Sequence, residues 1–175
     1  MATWVIDAAH SEIQFKVKHL MISTVTGSFG SFSGSAITNS DEDFTDAQIS
    51  FTAVTASINT GQADRDNHLR SADFFDAEKY PEVTFTSSSM KKAQGNHYEL
   101  VGTLTMHGVS QEVKLDAEFL GINKDPWGNI KAAFELNGKI NRKDFGLTWN
   151  AALETGGVLV GEEVKIIANV QLTRQ

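Results

Sequence analysis

The 175-residue chain contains no cysteine. That excludes a disulfide staple, a thiolate nucleophile and a Cys-based metal site, although it assigns no compartment. Long apolar runs are missing too, and no stretch approaches the length of a transmembrane helix. The N-terminus, "MATWVIDAAHSEIQF", has no basic region leading into an apolar one, so no secretory signal is expected in it. Read literally, the chain is soluble and cytoplasmic. A mature protein in which Met1 replaces a removed signal would be periplasmic. Positive charge is in deficit, with a net charge of −7. That disfavours non-specific binding to nucleic acid or to anionic membrane surfaces. HxH, HExxH, GxSxG, P-loop and GxGxxG motifs are all absent. The five histidines stand apart and read as structural ones. Ser11 beside His10 is not a nucleophile–base pair, because neighbouring strand residues point to opposite faces. No catalytic residue, metal ligand or cofactor site is therefore named.

What the chain does have is a period of two. Ile13, Phe15 and Val17 alternate with polar residues, as do Tyr98, Leu100, Leu104 and Met106. So do Val113, Leu115, Ala117 and Phe119; Ile130, Ala132, Phe134, Leu136 and Ile140; and Val164, Ile166, Ala168, Val170 and Leu172. One apolar and one polar face per strand is the signature of antiparallel sheets with one wet side. Two segments break phase. Phe29 and Phe32 fall on opposite parities, and Ile49, Phe51 and Ala53 give way to Val54, Ala56 and Ile58. A bulge or tight bend is expected in each. With Trp4 to Asp7 included, about eight strands are expected, a set suited to a closed barrel or a sandwich. No linker or repeat divides residues 1–175, so one all-β domain is expected.

Helix is scarce. The best candidate is Asp64 to Phe75, with Asp66 and Arg70 spaced to pair on one face. A short turn in "DAEKYP" should stop at Tyr80, before Pro81. The dense group Arg65, Asp66, His68, Arg70 and Asp73 has two readings. It could receive an anionic head group, since Arg offers a fork of donors and His adds another. It could equally neutralise itself, or tie the helix to the barrel through one buried Arg. Phe74 and Phe75 read as apolar packing under the helix.

A small barrel is either filled by its own side chains or holds one small ligand. Its inward positions mix Phe15, Phe51, Phe119 and Phe134 with Ala53, Gly102, Ala117, Ala132, Gly138 and Ala168. Small residues leave volume unless large partners face them. If a tunnel exists, strand parity gives its walls as Phe15, Val17, Phe51, Leu104, Phe119, Phe134, Leu136 and Trp149. Arg65, His68 and Phe74 join these as candidate ligand-binding residues. The segment 148–163 places Trp149, Leu153, Val158, Leu159 and Val160 around Gly156-Gly157. These could rim a cavity mouth, enter a dimer interface, or form a strand pair packed on the core.

Several separated blocks resemble one family. "WVIDAAHSEIQFKVKHL", "GSFGSFSGSA", "ASINTGQADRDNHLRSADFFDAEKYPEVTF", "YELVGTLTMHGVSQEVKLDAEF", "INRKDFGLTW" and "VGEEVKI" occur in order over essentially the whole chain. They resemble the YceI-like, or polyisoprenoid-binding, proteins. The resemblance implies a lipocalin-like antiparallel barrel with a short crossover helix around residues 64–75. It implies a long apolar tunnel for a polyisoprenoid or other long-chain, fatty-acyl-type amphiphile, and no catalytic activity. It implies a homodimer as well. The matching positions are His10, Ser11, Phe15, His19, Arg65, Asp66, His68, Leu69, Phe74, Phe75, Gly102, His107, Gly108, Arg142 and Phe145. The expected function is storage or transport of a hydrophobic molecule. The alternatives are a lipid-modifying enzyme with His and Asp at the mouth, or a filled barrel serving as a stress-response interaction module.

Overall fold

A computed structural model describes residues 1–154 and 157–175. Its strands are β1 (Ala2–Ile6), β2 (Glu12–His19), β3 (Ser23–Phe29), β4 (Phe32–Thr38), β5 (Gln48–Val54) and β6 (Ile58–Asn59). The helix α1 (Ala63–Arg70) follows, then β7 (Glu82–Lys92), β8 (His97–Met106), β9 (Val109–Lys124), β10 (Ile130–Asn141) and β11 (Val160–Arg174). Every pairing is antiparallel. The order β1-β4-β5-β7-β8-β9-β10-β11 returns to β1, so eight strands close a ring. From β11 the sheet also runs on through β2 and β3 to β6.

The phase breaks explain this branching. β11 stays continuous, pairing with β2 over its first part and with β1 over its last. β1 and β2 are thus two halves of one long strand, broken by the 3-10 turn Ala8–His10. β3 and β4 form the next long strand, broken at Gly30-Ser31. β5 and β6 form the third, broken by the 3-10 turn Thr55–Ser57. All three breaks lie at one level, where Gly30 N–H donates to the Ser57 carbonyl and Val54 N–H to that of Ser31. The opposite parity of Phe29 and Phe32, and the shift from Ala53 to Val54, are these interruptions.

Eight strands close the ring, as expected, but β3 and β7 were not expected. β7 has a bulge between Ser87 and Ser89, so Phe85 and Met90, on opposite parities, are both buried. A serine-rich centre hides the pattern. The helix is shorter than expected. It ends at Arg70, where the extended backbone of Ser71 breaks it and Ser71 Oγ donates to the His68 carbonyl. Residues 71–80 continue as turns up to Pro81.

The core is the inside of the barrel, and the alternating apolar sets face it, except that past the shift of phase Val54 and Ala56 are exposed and only Ile58 is buried. At one end, the floor, Phe44 packs between Trp4, tilted at a centroid distance of 5.3 Å, and Phe134, edge-on at 4.8 Å. At the other end β6 follows β3 and parts from β7, whose last pair with β5 is Val54–Glu82. α1 and residues 71–80 fill the fork. No described helix is long and apolar enough to cross a membrane.

Candidate functional site

The barrel encloses a cavity of about 350 Å³, within the roughly 300–1,000 Å³ range of small-molecule sites. Its wall is almost wholly apolar. Ala53, Ala117 and Ala168 line it and leave the volume that small inward residues were expected to leave. Gly102 and Gly138 do the opposite. A methyl group on Gly102 would press on the Phe85 ring and the Thr86 carbonyl, and one on Gly138 on Leu115. Ala132 is fully buried away from the cavity.

Of the candidate wall residues, Phe15, Val17, Phe51, Leu104, Phe134, Leu136 and Trp149 face the cavity, and so do Arg65, His68 and Phe74. Phe119 does not. A bulge at Ala133/Phe134 sets Phe119 opposite Phe134, with Leu120 turned out to solvent. Phe119 stacks 5.9 Å from Phe44 and closes the floor from behind. The floor residue itself, Phe44, had no strand pattern to announce it. It is a lone aromatic in the acidic turn "DEDFTD", 1% exposed. The Phe44 N–H donates to Tyr98 Oη, and Tyr98 donates to Asp43. Burial pushes the Tyr98 phenol up from its ordinary value, and hydrogen bonds from Thr45 hold Asp43 below its own.

Charge gathers at the opposite end. Lys18, His19, Arg65, His68 and Arg142 are the charged or titratable residues of the wall among the described residues. They stand at the last turn of β2, on α1 and just past β10. Lys18 is exposed, so the cavity reaches solvent there. This end is the mouth.

Two of its groups are already committed. Arg65 donates from Nε to Thr60 Oγ1 (2.7 Å) and from Nη2 to the Thr60 carbonyl (2.8 Å). Asp66 does not pair with Arg70. It is buried and accepts from the Thr60 N–H and hydroxyl at 2.8 and 2.6 Å. Arg70 instead ties the helix to the barrel through the Ala56 and Ile58 carbonyls. His68 pairs with Asp73 at 3.0 Å and stands edge-on to both Phe74 and Trp149.

Arg142 is 4% exposed, and among the described residues no carboxylate bonds to its guanidinium, Glu162 acting on it only through space. It donates to the carbonyls of Leu147, Trp149, Val160 and Gly161. Burial pushes its pKa below the usual guanidinium value. One side chain thereby fixes the segment between β10 and β11. That segment also pairs Ala152 with Val158 and carries Leu159 N–H to the Ala151 carbonyl. This is one isolated bridge between exposed residues, short of the core-packed strand pair that one reading expected, and the segment's Trp149, Leu159 and Val160 also rim the cavity. Gly156, half of the expected glycine joint, lies outside the described residues.

The other histidines serve local structure. His10 pairs with Asp7, His97 with Asp116, and His107 Nδ1 lies 3.1 Å from the Phe145 carbonyl. Ser11 Oγ accepts from the Gln171 N–H. No group of His, Asp and Glu among the described residues could hold a metal ion.

A family model described as the YceI-like domain matches residues 4–172. The chain belongs to the YceI-like family. It is 38% identical over 174 residues to a UPF0312 protein of Staphylococcus aureus (strain MSSA476), covering 99% of this chain and 98% of that protein. The crystal structure of the Campylobacter jejuni YCEI protein is 35% identical and superposes with a TM-score of 0.75 over 90% of each chain. Two more distant structures share the fold. Burkholderia cenocepacia BcnA has a TM-score of 0.81 at 24% identity, covering 95% of this chain and 98% of that one. A polyisoprenoid binding domain from Saccharophagus degradans has 0.71 at 17%, covering 98% of each. Within this YceI-like barrel two stretches of the quoted blocks fall at the mouth. "RDNHLRSADFF" forms the helix and its apolar underside. "TMHGV" forms the β8–β9 turn, where Tyr80 packs on Gly108.

Proposed function

We propose that this YceI-like protein binds a single long-chain amphiphile, its tail in the cavity and its head at the Lys18–His19–Arg65–His68 end, and stores or carries it without chemical change. The observation that carries this reading is the polarity of the cavity. Its body is apolar, and its charged side chains all stand at one end. Burial of each CH₂ contributes about 0.8 kcal/mol, so a tail supplies affinity without any charged contact. Ordering the chain offsets part of that gain. The floor of Phe44, Phe134 and Trp4 would limit tail length, and the mouth would select the head. The Saccharophagus degradans neighbour is described as polyisoprenoid binding, which favours a branched isoprenoid tail over a straight acyl one.

The reading includes no catalysis. His68 and His107 are occupied by Asp73 and Phe145, in positions that fix loops. It also includes association as a homodimer.

The test is native mass spectrometry of freshly purified protein, then solvent extraction and lipid analysis. A stoichiometric long-chain mass supports the carrier. A protein that stays ligand-free after incubation with isoprenoid and fatty-acyl lipids favours the interaction module. Lipid turnover that disappears in His68→Ala would establish an enzyme. The same spectrum reports monomer or dimer.

A further inference from the structure

The turn between β2 and β3 is built against its own residues. Leu20 and Met21 occupy its centre with φ of +56° and +62°, and the Ile22 N–H returns to the His19 carbonyl. Turns of this shape favour Asn and Gly, because a Cβ crowds the backbone at positive φ. Three large apolar side chains stand there instead. Met21 is 58% exposed and Ile22 84%. Strain and exposure at one tip point to a function.

The tip sits beside the mouth. Its flanking residues Lys18, His19 and Val25 line the cavity, and Leu20 N–H is held by the Leu159 carbonyl. Val158, 37% exposed, lies in the neighbouring segment, where Gly157 approaches Met21. The charge is local as well. From Ile13 to Ser40 the chain carries Lys16, Lys18 and His19 and no acid, in a protein of net charge −7. On the adjacent strand, Glu162 and Glu163 are already paired with Lys143 and Lys139.

We propose that the β2–β3 hairpin docks the barrel on an anionic lipid bilayer. Leu20, Met21 and Ile22 enter the boundary between head groups and acyl chains, while Lys16 and Lys18 meet lipid phosphates. An apolar tip beside a basic stem is the pattern of an interfacial anchor. Net charge disfavours binding by the whole surface, but the hairpin presents a different local sign. Docked in this way, the mouth opens where lipid is available. That consequence rests on the carrier reading; the docking itself does not.

The experiment is sedimentation of the full-length protein with vesicles of phosphatidylcholine containing phosphatidylglycerol, and with phosphatidylcholine alone. Partition should be strongest on the anionic vesicles and fall with salt. The triple variant Leu20→Ser, Met21→Ser, Ile22→Ser should partition at least tenfold less. Its circular dichroism should be unchanged, since the tip packs on no core. Ile22→Trp should shift its emission to the blue when vesicles are added. Equal partition of wild type and triple variant overturns the proposal. So does a dimer that the serines dissociate in the absence of any vesicle binding, because the tip would then cover a second copy. Vesicle docking by a protein that takes up no lipid would leave the anchor standing and remove the carrier.

Discussion

The imidazole of His68 stands edge-on to the indole of Trp149, with ring centroids 4.6 Å apart and planes at 87°. Phe74 completes the group, 5.0 Å from His68 and 5.2 Å from Trp149. These rings join the helix side of the mouth to the segment that follows β10.

Trp149→Ala should uncouple the two sides. An aromatic pair contributes about 0.5–1.5 kcal/mol beyond its burial, so stability should fall by about 1–3 kcal/mol for this half-buried residue. Release of bound lipid should quicken by about tenfold. Chemical denaturation and a lipid-transfer chase measure the two effects separately. An unchanged release rate would place the exit route elsewhere.

Arg142→Leu should be more damaging. It removes the guanidinium from the carbonyls of Leu147, Trp149 and Gly161, while that of Val160 keeps Asn150 Nδ2 as a donor. Each unsatisfied buried acceptor costs about 1–3 kcal/mol, although water can relieve those nearest the surface. A loss of about 3 kcal/mol or more is expected in urea denaturation. Hydrogen exchange should rise between residues 147 and 161 before it rises in β7 to β9. A loss within experimental error would show that the segment is held by its other contacts.

Ala168→Phe should fill the cavity. Ala168 lies between Leu136 and Ile13 in the sheet register and lines the apolar wall. Overpacking costs about 1–3 kcal/mol, so the barrel should still fold. For the wild type, ligand at one hundred times Kd stabilises by about 2.7 kcal/mol, or about 5–10 °C in Tm for a domain of this size. The variant should show no such shift. A ligand-dependent Tm that survives the substitution would place binding outside the barrel.

Acid should weaken the joint between β1 and β2. Asp7 accepts from Lys131 Nζ at 2.8 Å and from His10 Nδ1 at 2.8 Å, and these bonds hold its carboxyl down at about 2. A carboxyl depressed in the folded state adds stability above its ordinary value near 3.8, and that stability is lost as pH falls towards about 2. Asp7→Asn should flatten this part of the stability curve, measured by urea denaturation from pH 5 to pH 2. An unaltered slope would assign the acid sensitivity to other carboxylates.

The barrel walls were legible in the sequence because their period of two is physical. A strand with one buried face has no other way to read, and β8 to β11 follow it closely. The helix was legible as a location more than as a structure. Asp66 and Arg70 have pairing distance on a helix, yet Thr60 claims the first and two strand-break carbonyls claim the second. Spacing cannot reveal partners contributed by a neighbouring loop. β7 was hidden by its bulge, and Phe44 by its place in an acidic turn whose destination only the closed ring defines. Phe119 has the right parity and the wrong depth: alternation reports which face a residue takes, and not how far along the barrel it lies.

The three breaks at Ala8–His10, Gly30-Ser31 and Thr55–Ser57 lie side by side, while β11 runs past that level uninterrupted, laddered to β2 on one side of it and to β1 on the other. The barrel therefore has a continuous spine and a creased front. The crease sets the upper panel of β2, β3 and β6 on its own course, joined to the ring through the β2–β11 ladder and parted from β7, with α1 wedged in the gap. The bore thus takes its gauge at the base from a closed hydrogen-bonded ring and at the rim from side chains of the wedge.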